Sequence, residues 1–182
     1  LTKWAKTQAA QMSELGLTDL AQEEELSSCW PLHPIAYAIL PELCERYGQN
    51  ERTLFSFLAS REPGSVGTFL SDIDWNRENE LPVVRLERIY DYFLESASNL
   101  VGVSDAASRW VEIDTRIRDA HGLNAASRKV LKSIGLLNLV SVGGSIRASE
   151  QLLKIICADG EKGTKTDQDI SSSLKDLEEL GL

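Results

Sequence analysis

Arg52 is the cation in this sequence best placed to meet an anion. Asn50 suits the N-cap of a helix starting at Glu51, which puts Arg52 in the first turn. A cation there faces the positive end of the helix dipole, at a cost of about 0.3 to 1 kcal/mol. The same position is where backbone amides and a guanidinium fork can jointly hold a phosphate. Surface pairing of Arg52 with Glu45, Glu51 or Glu62 is the competing reading.

No other group of residues assembles a reaction centre. Hydrolysis of a nucleoside triphosphate needs a loop of the form Gly-x-x-x-x-Gly-Lys-[Ser/Thr], whose amides and lysine hold the phosphates. The nearest stretch, Gly160-Glu161-Lys162-Gly163-Thr164-Lys165-Thr166, has the wrong spacing and reads as a turn between helices. His33 and His121 have no serine or cysteine in an elbow motif beside them, so they read as a helix-start residue and a helix C-terminal charge. Asp72, Asp74, Glu78 and Glu80 lack the glycine and closing glutamate of a calcium loop and read as a solvated acidic loop. Cys29, Cys44 and Cys157 are widely spaced without a Cys-x-x-Cys pair, which predicts reduced thiols and no metal site. Trp4, Trp30, Trp75 and Trp110 sit among apolar neighbours without interleaved cations, which favours packing over base stacking.

The elements that position these residues are helical throughout. Apolar residues recur at helical spacing over 2–15, 19–26, 33–48, 51–58, 66–70, 85–96 and 105–121, and the first of these stretches turns at Gly16. Ile35, Ala36, Ile39, Leu40, Leu43 and Tyr47 share one face, with Pro34 suited to a first turn and Gly48 to the residue past the end. Pro41 interrupts that stripe, and an interior proline costs about 3 kcal/mol, so a kink or break is expected there. Asn124 then caps a helix with Val130, Leu131, Ile134 and Leu137 inward. Residues 139–142 form the best strand candidate, and helices over 147–158 and 167–180 follow. The expectation is a mainly α chain in two parts: a helical bundle over 1–122 and a three-helix unit over 123–182 with winged-helix order, ending where the wing would begin.

Composition narrows the partners. An apolar share of 42% with 12 Gly and 5 Pro in 182 residues is that of a chain that folds around a core. A formal charge of −9 opposes association with phosphate backbones or anionic lipid, so neither nucleic acid nor a membrane is an expected partner. With no long apolar run and no signal-peptide pattern at Leu1, the expected location is the cytoplasm. The missing initial methionine and the stop after a patterned helix suggest a piece of a longer polypeptide.

Pro31-Leu32-His33-Pro34 followed by Asn50-Glu51-Arg52-Thr53-Leu54-Phe55-Ser56-Phe57-Leu58 resembles the lid of large bacterial P-loop ATPases of the AAA+/STAND kind, including those of phage-defence gene clusters. There, a Leu-His-Pro helix precedes an Asn-x-Arg-x-Leu-x-x-Phe-Leu helix. The stretch Leu131-Lys132-Ser133-Ile134-Gly135-Leu136-Leu137-Asn138-Leu139 with Arg147-Ala148-Ser149 is similar to the winged-helix start that follows such lids. The resemblance implies a nucleotide-sensing lid with Arg52, beside Asn50, as sensor. It also implies no cofactor in this piece, ATP and Mg in the parent protein, an ATPase core N-terminal to Leu1 as partner, and a protein contact through the winged-helix unit. The alternatives are a DNA-binding winged-helix regulator and an interaction scaffold on a degenerate ATPase. Asp167, Asp169, Asp176, Glu178 and Glu179 around Lys175 give the presumptive recognition helix the wrong sign for DNA.

Overall fold

Helical periodicity in the sequence becomes ten α-helices, and no strand, among the described residues of the protein. Its computed structural model describes 1–47, 51–75, 81–98, 105–140, 146–157 and 165–181, with the backbone alone given at 51–53, 94–98, 105–107 and 165–167. The helices are α1 (Thr2–Glu14), α2 (Glu23–Cys29), α3 (Pro34–Tyr47), α4 (Glu51–Ala59), α5 (Val66–Asp72), α6 (Leu86–Ser98), α7 (Asp105–Asp119), α8 (Ala125–Leu139), α9 (Glu150–Cys157) and α10 (Lys165–Glu179). The chain is mainly α. Among the described residues, no helix is long and apolar enough to cross a membrane.

Local chemistry explains where the helices start and stop. The Asn124 carboxamide accepts the Ser127 N–H at 2.8 Å and caps α8 as its sequence predicts. The Ser149 hydroxyl accepts the Leu152 N–H at 3.2 Å, so α9 starts at Glu150 rather than at 147. The stretch 19–26 divides into a 3₁₀ turn, Thr18–Leu20, and α2, because Glu23, Glu24 and Glu25 favour a helix N-terminus of their own. Helix α3 runs through Pro41 without a break. Pro41 and Tyr37, whose carbonyl loses its i+4 donor, both lie on the exposed face, where water can satisfy that oxygen, while the opposite face is buried. The strand expected over 139–142 does not begin at Leu139. That residue closes α8 and is buried, because its apolar packing continues the helical stripe, and only the following Val140 is extended. Ser141 and Val142 lie outside the described residues. Leu180 leaves the inward stripe of α10 and is 54% exposed, since the helix ends at Glu179 and Gly181 turns the chain with φ +70°.

Helix α8 is the hub, packed against α6, α7, α9 and α10. One apolar cluster runs from Met12 through Ile39, Phe93 and Trp110 to Leu136 and Leu177, so the core passes across residue 122 without a gap. At its centre Trp110 stacks on Tyr90 with ring centroids 5.6 Å apart and takes the edge of Tyr47 at 4.9 Å. A Cβ on Gly135 would lie 2.7 Å from Ile113 Cγ2, so glycine permits the close crossing of α7 and α8. Helices α1 and α2 pack mainly on each other through Ala5, Leu26 and Cys29.

Candidate functional site

Helix α4 begins at Glu51, so the backbone places Arg52 in its first turn. Asn50 and the Arg52 side chain lie outside what the structure describes, and the cap and the competing ion pairs fall there with them. Beyond that turn Phe57 is buried and Leu54 half-buried, while Phe55 faces outward. The Pro31-Leu32-His33-Pro34 segment precedes α3 and is pinned to residues 82–84. Leu32 and Val84 form a parallel bridge, the His33 N–H donates to Val84 O at 2.9 Å, and the Trp30 indole N–H donates to Pro82 O at 3.1 Å.

His33 performs the helix-start role read from the sequence. Its Nδ1 accepts the Ile35 N–H at 3.3 Å, which leaves the ring proton on Nε2. Burial, followed by the positive charge of Arg85, holds its pKa well below the ordinary imidazole value. The ring is therefore a neutral structural group at physiological pH. All three thiols are free, and burial raises each from 9.0 to about 11. Near neutral pH they are protonated and poor nucleophiles. Asp72, the last residue of α5, and Asp74 just beyond it are both exposed, and Glu78 and Glu80 lie outside the described residues. Trp75 departs from the packing expectation: it is 57% exposed and rests against Trp30, with ring centroids 6.3 Å apart.

The turn that ends α4 is tightly specified. Gly64 has φ +83°, and the Ser65 hydroxyl donates to Ser60 O at 2.9 Å while accepting the Thr68 N–H, which caps α5. The Thr68 hydroxyl donates to Glu62 O at 2.8 Å. Helix α6 grips this turn with two side chains four residues apart. Arg88 donates from Nε to Gly64 O at 3.0 Å and from Nη2 to Ser65 O at 3.3 Å, with its guanidinium 5.2 Å from the centroid of the Phe69 ring. The Tyr92 hydroxyl donates to Glu62 Oε2 at 2.7 Å. Burial and that hydrogen bond keep the phenol protonated. Phe57 of α4 packs against Tyr92 and Phe93 with centroids 4.9 and 5.8 Å away.

The adjoining face of α6 holds α8. Glu87 meets Lys129 at 3.4 Å and Asp91 meets Lys132 at 2.5 Å, again four residues apart on α6. Lys132 also lies 5.8 Å from the centroid of the Tyr90 ring. Two further cations reach the carbonyls at helix ends: Arg46 of α3 donates to Leu139 O of α8 at 3.3 Å, and Arg85 donates to Ile156 O of α9 at 2.9 Å. Lys129 and Lys132 are therefore engaged by carboxylates, which leaves Arg128 as the remaining cation of α8.

No family model matches the chain, and no curated protein or solved structure is significantly similar to it. The arrangement itself thus carries the functional reading. It links the turn that ends α4 to α8 through one helix, α6, that grips both. Neither of its grips is marked in the sequence, where only the apolar period over 85–96 points to α6. The available signal was the pair of i,i+4 doublets, Glu87/Asp91 and Arg88/Tyr92, with the complementary Lys129/Lys132 spacing on α8.

Proposed function

We propose that this chain is a non-catalytic helical lid followed by a winged-helix-like unit, and that it senses nucleotide at Arg52 and transmits the change to a protein partner. In this reading ATP and Mg belong to a P-loop core N-terminal to Leu1, in a bacterial, cytoplasmic ATPase. The observation that supports it best is the double grip of α6. Arg88 and Tyr92 hold the turn ending α4, while Glu87 and Asp91 hold Lys129 and Lys132 of α8. A displacement of α4 by a γ-phosphate would pass through the Arg88 and Tyr92 grip into α6 and on to α8 through the apolar packing that these ion pairs flank, which is how a local charge event acquires a distant readout.

DNA binding is the weaker reading. Two of the three cations on α8 are already engaged by α6, and α10 bears Asp167, Asp169, Asp176, Glu178 and Glu179 against Lys165 and Lys175. The test is ATP turnover by the longer polypeptide carrying Arg52→Ala. Turnover should fall by about tenfold or more, as loss of a charged phosphate contact does. Unchanged turnover removes the sensor assignment, and an upstream sequence without a phosphate loop removes the reading altogether.

A further inference from the structure

We propose that the groove between α7 and α8 receives an amphipathic helix of a partner protein, one edge of which carries carboxylates. This deepens the coupling reading by naming its partner side, and it rests on that reading only for the link to nucleotide.

The groove is a cavity of about 570 Å³, within the usual range of binding sites. Ile113 and Ile117 of α7 and Leu131 and Ile134 of α8 form an apolar floor. Gly135 leaves the floor without a side chain where the two helices cross. A second cavity of about 370 Å³ shares Ile134 and adds Leu153, Leu174 and Leu177. That second cavity is also lined by Glu150, Ser171, Lys175 and Glu178, so the apolar floor belongs to the groove between α7 and α8. An apolar trough between two helices suits the face of a third, presented at i, i+3, i+4 and i+7.

Charge selects the edge. The α7 lip carries Arg109 and Arg116 against Glu112, a net positive strip on a chain of formal charge −9. Arg109 has no ion-pair partner among the described residues. Arg116 meets Glu112 at 3.3 Å, but both side chains are about two-thirds exposed (66% and 65%), so this pair is weak and can be exchanged. The two arginines are seven residues apart, roughly 10.5 Å along one side of α7. Carboxylates seven apart on an incoming helix match them. A second copy of the chain fits less well, because two bodies of charge −9 repel.

The test uses the whole chain and no nucleotide, so its failure and that of the Arg52 assignment are separable. A fluorescent helical peptide of about four turns, with a leucine stripe and glutamates seven apart beside it, is titrated by anisotropy against the same peptide with lysines in those places. The acidic peptide should bind about tenfold more tightly at low salt, and Arg109→Glu with Arg116→Glu should invert the preference while circular dichroism stays unchanged. Ile134→Asp should weaken both peptides. Equal binding of the two peptides, a preference that survives the charge reversal, or a dimer in sedimentation that Ile134→Asp dissociates would each overturn the proposal.

Discussion

The two sides of α6 hold their neighbours by different physics. Toward α4, Arg88 and Tyr92 reach a turn whose acceptors include the backbone carbonyls of Gly64 and Ser65, and Phe57 fills the space beneath. Toward α8, the polar contacts are side-chain ion pairs at the margin of the continuous core. Backbone acceptors fix register, since a carbonyl cannot be repositioned without moving the chain. Long lysines tolerate small shifts, because Lys129 and Lys132 can follow their carboxylates. The α4 side is therefore the specific grip, and the α8 side depends on apolar packing for strength.

The sharpest way to break that contrast is at Phe57. Phe57→Ala should lower stability by about 3 to 5 kcal/mol in chemical denaturation, by removing a fully buried ring and leaving a cavity between α4 and α6. A loss under about 1 kcal/mol would contradict its burial. Arg88→Ala should cost less, about 2 kcal/mol, since two charge-assisted hydrogen bonds are lost, to the carbonyls of half-buried Gly64 and buried Ser65. Its distinguishing effect without nucleotide is local: amide exchange should accelerate over 60–68 while α8 keeps its protection.

Replacing Lys129 and Lys132 together by methionine should have the smallest effect, within about 1 kcal/mol, and added salt should shrink the difference. A larger loss that persists in high salt would mean that the ion pairs, rather than the apolar contacts, hold α8 to α6.

The helices themselves were legible because burial follows their period. Ile35, Ile39 and Leu43 on α3 and Val130 and Leu137 on α8 are all in the core, as their spacing requires. Pro41 does not break α3, because tertiary packing, and not local propensity, decides the side of the helix on which its lost hydrogen bond falls. Leu139 follows the same rule: β-branched and apolar neighbours suggest a strand, but the helical stripe carries it into α8. Arg52 could be singled out from a cap and a dipole, which are local features. Arg88 could not, because its acceptors lie 24 and 23 residues earlier in the chain and become acceptors only once Gly64 turns. Gly135 carries no local mark either, because the need for glycine there comes from Ile113 of α7.

The central claim is that α6 carries a change at α4 to α8, and amide exchange over α8 in the longer polypeptide, with and without ATP and Mg, tests it most directly. Nucleotide should alter protection of 125–139 in the wild type, and Arg88→Ala should abolish that change while leaving nucleotide affinity within about twofold. An ATP-dependent change in α8 of the same size in the Arg88→Ala protein would contradict the account.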